Sequence, residues 1–131
     1  MSGRRRETGS ATVEFALVLP LVLLLALALL QTGLVMTDRL LLAGAARAGA
    51  REAAVGGDDE RVRDAAVAAG GLDPERLSVA IVRAGAEGGE VSVTVHYRSR
   101  IAVPLVGWLF PEGVDLVDRV AMRQEVDATA E

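Results

Sequence analysis

The residues of this chain whose types and spacing suit them for chemistry lie in one short stretch near the N-terminus. A cluster of three arginines, Arg4–Arg6, precedes Gly9 and Ser10, and Glu14 follows directly before an apolar run. If the chain were cut between Gly9 and Ser10, Ser10 would become the first residue and Glu14 the fifth. Cleavage there would place Glu14 about one helical turn from a new α-amino cation, its own or a neighbour's. The alternative for Glu14 is a solvated carboxylate at an interface.

A long apolar segment, Phe15 to Met36, carries no charge and must position this stretch. As a helix it would extend roughly 33 Å, enough to cross a hydrocarbon core of about 30 Å. Pro20 and Gly33 lie within the segment, and both residue types are tolerated in membrane spans. Inserting an unpaired carboxylate into the membrane costs about 2.5–3.5 kcal/mol. A glutamate at the start of the span therefore indicates a specific role for Glu14.

The stretch Gly9–Pro20, reading GSATVEFALVLP, resembles the processing site of type IV prepilins: a glycine, four residues, then Glu-Phe and an apolar helix. With the small-residue stretch Ala43–Ala54, the chain is similar to the TadE-like minor pseudopilins of the tight-adherence (Flp) pilus machinery. The resemblance implies a basic leader at residues 1–9 that a prepilin peptidase removes, a transmembrane helix at residues 10–37 and an extracytoplasmic domain at residues 38–131.

The same resemblance implies a structural, non-enzymatic role in pilus assembly. The prepilin peptidase would cut between Gly9 and Ser10, and Glu14 and Phe15 would serve assembly, with the carboxylate pairing with an N-terminal amine. The implied partners are membrane lipid, the prepilin peptidase, and other pilins, pseudopilins and pilus assembly proteins.

The orientation in the membrane follows only in part from charge. Arg4–Arg6 favour a cytoplasmic N-terminus by the positive-inside rule. However, Arg39, Arg47 and Arg51 lie within about 20 residues of the other end of the span, so the number of arginines is the same on both sides. The short tail with its compact basic cluster, together with the resemblance, predicts a single-pass protein of the cytoplasmic (inner) membrane. Its N-terminus would be cytoplasmic and its domain extracytoplasmic.

Two other hypotheses fit the same N-terminus. A single-pass, signal-anchored envelope protein with a partner-binding domain would not be cut at Gly9. A secreted protein would lose an ordinary signal peptide by cleavage within Leu42–Ala46. Two observations argue against a signal peptide. The apolar run is longer than the 7–15 residues of a usual signal-peptide apolar region, and Glu14 lies at its start. The N-terminus of the mature protein distinguishes all three hypotheses.

Composition argues against several other functions. The chain has no cysteine, so neither disulfides nor a thiolate metal site is expected. Its one histidine, His96, has no acidic cluster near it in sequence, so no metal site is expected either. The net charge of −4 argues against nucleic-acid binding. With no catalytic triad or phosphate-binding loop in the sequence, we expect no enzyme activity, cofactor or small-molecule substrate.

Beyond the span, the pattern predicts an α+β fold in which the long N-terminal helix is followed by a second short helix and a small antiparallel, pilin-like sheet. The first helix should continue through Asp38–Val55 and end at Gly56-Gly57. Asp58 or Asp59 is a suitable N-cap for a second helix, Glu60–Ala69, which Gly70-Gly71 would end.

The strands follow from branched and alternating residues. Leu77–Arg83 is rich in branched side chains, and Glu87–Glu90 is typical of a hairpin turn. The next strand should bury one set of alternating residues, Val91, Val93, Val95 and Tyr97, and leave His96 and Arg98 on its polar face. A last strand, Val114–Met122, contains charges and should lie at a sheet edge.

For two features, the sequence does not determine what they pack against. Small residues recur at four-residue spacing, as in Gly44/Ala48 and Ala45/Gly49, which permits close helix packing, either against another subunit or beneath the chain's own sheet. The segment Pro104–Pro111, with Trp108 and Phe110, either completes the small core or forms an interfacial patch. Residues after Gln124 are expected to form a solvated tail.

Overall fold

The computed structural model describes residues 4–84, 89–102 and 113–124, with side chains from residue 9 onward. The predicted α+β fold is confirmed. In chain order, the elements are helix α1 (Arg4–Ala54), helix α2 (Asp59–Gly70), a 3-10 turn (Pro74–Arg76), and strands β1 (Leu77–Arg83), β2 (Glu90–Ser99) and β3 (Val114–Arg123).

Helix α1 is one unbroken element of 51 residues that includes Pro20. It runs without interruption through the predicted boundary between residues 37 and 38, so the apolar segment and the domain share one continuous helix. The helix ends at Ala54, one residue before the predicted end. Gly56, whose φ of 85° suits glycine, then reverses the chain.

Helix α2 is held at both ends by the residues that the sequence predicts. The Asp58 side chain accepts a hydrogen bond from the backbone N–H of Arg61 at 2.9 Å, which satisfies a donor that the first turn leaves open. At the other end Gly71 has a left-handed conformation and donates to the Val67 carbonyl. The helix is one residue longer at each end than Glu60–Ala69.

The three strands form an antiparallel sheet in the order β1-β2-β3. Strand β2 is central, with Val93 opposite Ile81 on one side and Val120 on the other. The predicted range of β1 and the edge position of β3 are confirmed, although β3 continues one residue past Met122 to Arg123.

The sheet packs one face against the two helices. The predicted inward residues of β2, Val91 to Tyr97 in alternation, are all buried, and His96 and Arg98 are exposed. From α1 the core takes mostly small side chains: Leu42, Ala46, Ala50, Ala53 and Ala54. Small residues here let the helix axis lie close to the strands.

Some predictions fall on residues outside the described ranges. These are the first two residues of the Glu87–Glu90 turn, the segment Pro104–Pro111 with Trp108 and Phe110, and the tail after Gln124. On either side of the turn the ladder continues, since Ala84 N–H donates to the Glu90 carbonyl at 2.9 Å and Gln124 N–H to the Gly89 carbonyl at 2.9 Å.

Candidate assembly surface along helix α1

The predicted processing and assembly residues lie together on the first turns of α1 that have described side chains. Gly9, Ser10, Glu14 and Phe15 are all exposed. A Cβ added to Gly9 would meet no atom within 4 Å. Among the described side chains, Glu14 makes no ion pair, so its carboxylate is available to a group from outside the chain.

The helix that follows is apolar and uncovered. Of the described helices, α1 is the one long and apolar enough to cross a membrane, and none of its most apolar 18-residue window is buried inside the fold. Large side chains such as Phe15, Leu17, Leu21 and Leu25 are more than half exposed. An exposed apolar surface of this extent is typical of a helix that contacts lipid or other apolar helices. The helix is therefore compatible with a single-pass membrane anchor.

Two polar residues of α1 fasten the sheet to the helix, and sequence reasoning missed both. The Gln31 amide donates from Nε2 to the Arg100 carbonyl at 3.4 Å and accepts at Oε1 from Ala102 N–H at 3.1 Å. Ser99 Oγ donates to Asp38 Oδ2 at 2.5 Å. We call these contacts the Gln31–Asp38 anchor.

The anchor joins one face of α1 to the chain that leaves β2. Gln31 and Asp38 are seven residues apart, which places them on the same face two turns apart. Gln31 is only 7% exposed, and its side chain satisfies both a backbone acceptor and a backbone donor. The one sequence signal for such a contact is an amide inside an otherwise apolar run, and sequence reasoning drew no prediction from it.

The predicted helix-packing residues lie inside the chain's own fold. Ala45 and Gly49 are buried, and Gly44 and Ala48 are half-buried. A Cβ on Gly49 would lie 3.3 Å from Val93 Cγ1. The structure therefore supports the intramolecular interpretation of this small-residue face, and a contact with another subunit through these four residues stays a prediction.

The opposite side of α1 remains uncovered next to the domain. Leu40 is 65% exposed, and Arg47 and Arg51 are exposed one turn apart. Neither arginine forms an ion pair within the described part of the chain. This side of the helix is thus open to a partner with apolar and acidic groups.

The outer face of the sheet carries an open groove of about 840 Å³. His96 lies in it, near Glu75 and near Arg98, whose Nε lies 3.0 Å from Asp115 Oδ1. Within residues 9–84, 89–102 and 113–124, no three His, Asp or Glu side chains are grouped so that they could hold a metal ion.

Comparison with known proteins finds a similarity in the N-terminal part of the chain. Residues 9–51 match the model of a family described as TadE-like protein. The match begins at the predicted processing glycine and extends through the apolar segment to the small-residue face of α1. It confirms the resemblance over these residues, which make up about a third of the chain. No curated protein and no solved structure gives a significant match to the chain.

Proposed function

We propose that this chain is a minor pseudopilin, a structural component in the assembly of a tight-adherence pilus. The observation that carries the proposal is the continuity of α1. One helix joins the Gly9–Ser10 processing motif, an uncovered apolar segment and the helix face on which the domain is built. A prepilin peptidase would cut after Gly9, and the chain would remain in the cytoplasmic membrane with its domain outside. The role requires no catalysis.

The chemistry of assembly would centre on Glu14. Cleavage places an α-amino cation at Ser10, one turn from the Glu14 carboxylate. A second subunit that packs alongside brings its own amine within reach of that carboxylate. Mutual attraction offsets the cost of removing both charges from water, whereas an unpaired carboxylate would oppose helix association. Phe15 and the leucines after it would form the apolar contact beside the pair.

The fold argues against cleavage within Leu42–Ala46. Leu42 is 1% exposed in the core and Ala45 and Ala46 are fully buried. A cut there would remove both residues of the Gln31–Asp38 anchor and break α1 in the part that covers the sheet. An uncut, signal-anchored envelope protein remains the alternative, since it keeps the whole helix.

A comparison of two conservative variants tests the proposal. Glu14→Gln removes the charge that should pair with a neighbour, and Glu60→Gln removes an exposed carboxylate on α2 as a matched control. At equal membrane levels, Glu14→Gln should still be cleaved after Gly9 but should recover fewer pilus subunits on co-purification, while Glu60→Gln should behave like the native protein. Undiminished association of Glu14→Gln would contradict the assembly role of this carboxylate.

A further inference from the structure

Gln31 is the first described residue of α1 that the rest of the chain buries. From Gly9 to Leu30 the described side chains are exposed, apart from a half-buried Leu27. At Gln31 the backbone of Arg100–Ala102 lies against the helix and is hydrogen-bonded to it. The chain after β2 therefore descends along α1 by about 10 Å, from the level of Asp38 to the level of Gln31.

We infer that the hydrocarbon layer of the membrane ends at Gln31, and that Arg100–Ala102 rest in the phospholipid headgroup layer. The Gln31–Asp38 anchor sets the position of this boundary along α1. The inference rests on the proposed membrane-spanning role of α1 and places the boundary six residues before the predicted end at residue 37.

A boundary at residue 37 conflicts with these contacts. It would place Gln31, and with it the backbone of Arg100–Ala102, about 9 Å inside the hydrocarbon. Arg100 and Ala102 are exposed, so lipid chains would surround a charged side chain and non-helical backbone. Lipid-exposed irregular backbone is not tolerated in the hydrocarbon region, and a charge there is costly. In the headgroup layer the same groups meet water and phosphate.

Exposed leucines on the other side of α1 do not argue for the later boundary. Leu40 and Leu41 are exposed, and both lie beyond residue 37, outside the membrane under either boundary. The apolar side of the helix therefore continues past the membrane in any case. The polar contacts of Gln31, which lipid cannot replace, decide the position.

The earlier boundary changes the environment of Glu14. About twenty helical residues cross a hydrocarbon core of about 30 Å, so a layer that ends at Gln31 starts near Ala11. Glu14 would then lie about 4.5 Å inside the hydrocarbon, where a carboxylate requires a partner. With a boundary at residue 37, the layer would start near Leu17 and Glu14 would lie among headgroups, where water can solvate it.

Single-cysteine labelling of the full chain tests the boundary, since the native sequence has no cysteine. The probes are Leu23→Cys, Met36→Cys and Leu40→Cys, each at a side chain more than half exposed. In phosphatidylcholine/phosphatidylglycerol nanodiscs, which leave both membrane faces accessible, a charged maleimide should modify positions 36 and 40 at rates within about fivefold of each other. Position 23 should stay unmodified until detergent is added.

The outcomes separate this inference from the proposal on which it rests. Protection of position 36 to the level of position 23, with position 40 reactive, would overturn the boundary at Gln31 alone. Modification of position 23 at the rate of position 40 would contradict a membrane-spanning α1 and the proposed function with it.

A second pair of substitutions tests whether the anchor sets the boundary. In the Met36→Cys background, Gln31→Leu removes the contacts with Arg100–Ala102. Thr32→Leu also raises the hydropathy of the helix, although by less than Gln31→Leu, and Thr32 bonds only within its own helix, to the Ala28 carbonyl at 2.8 Å. We expect Gln31→Leu to slow labelling at least fivefold as the helix sinks into the membrane, and Thr32→Leu to leave it within twofold. Equal effects of the two substitutions would overturn the role of the anchor.

Discussion

Truncation of Val93 should weaken the contact between the sheet and α1 more than truncation of a matched valine elsewhere. Val93 is fully buried at the centre of β2, where its Cγ1 faces Gly49. Val93→Ala removes two methyl groups from a buried site that lies directly against α1. The lost burial and the remaining cavity together should cost about 2–3 kcal/mol. For a domain of this size, that corresponds to a fall in melting temperature of about 10–20 °C.

Val117 provides the control because it is a valine in the same sheet, on the outer face and 57% exposed. Val117→Ala should change the stability by about 0.5 kcal/mol or less. The assay is brief proteolysis of the full chain in detergent micelles at increasing temperature, which detects unfolding of the domain. Equal melting temperatures for the two variants would mean that the inward face of β2 has been assigned wrongly.

Two further substitutions, each with a matched control, test the helices in the same assay. Gly49→Leu should destabilise the domain by about 1–3 kcal/mol, since even a Cβ there would lie 3.3 Å from Val93 Cγ1 and 3.4 Å from Ala66 Cβ. Gly33→Leu, on a part of α1 with nothing within 4 Å of an added Cβ, should leave domain stability unchanged, and equal losses would contradict the close approach at Gly49. Asp58→Ala should cost about 1 kcal/mol by removing the N-cap of α2, whereas Asp64→Ala, mid-helix and exposed, should cost less than half as much. A neutral Asp58→Ala would contradict the capping role.

The local structure of the domain could be predicted from sequence because short patterns specify it. The alternation from Val91 to Tyr97 has the period of a half-buried strand and predicts which side faces the helices. Asp58 and Gly71 have the chemistry and the backbone freedom that helix ends require, so the range of α2 follows to within one residue. Each of these signals depends on residues that are neighbours in sequence.

The packing of α1 could not be predicted in the same way. The spacing of Ala45 and Gly49 permits a close neighbour but does not say which, and only the fold shows α2 and β2 in that position. Gln31 is bonded to residues about seventy positions away, so nothing in its sequence surroundings reveals its partners. A single amide in an apolar run marked the position without specifying the contact.

The mature N-terminus tests the central claim most directly. The full chain is produced in membranes with and without a prepilin peptidase, and the intact protein is weighed by mass spectrometry beside a Gly9→Val variant. We predict that the peptidase removes residues 1–9, so that the native protein starts at Ser10, and that Gly9→Val stays nine residues longer. A native protein that retains Met1 in the presence of the peptidase, or one that starts near Ala46, would contradict the pseudopilin assignment.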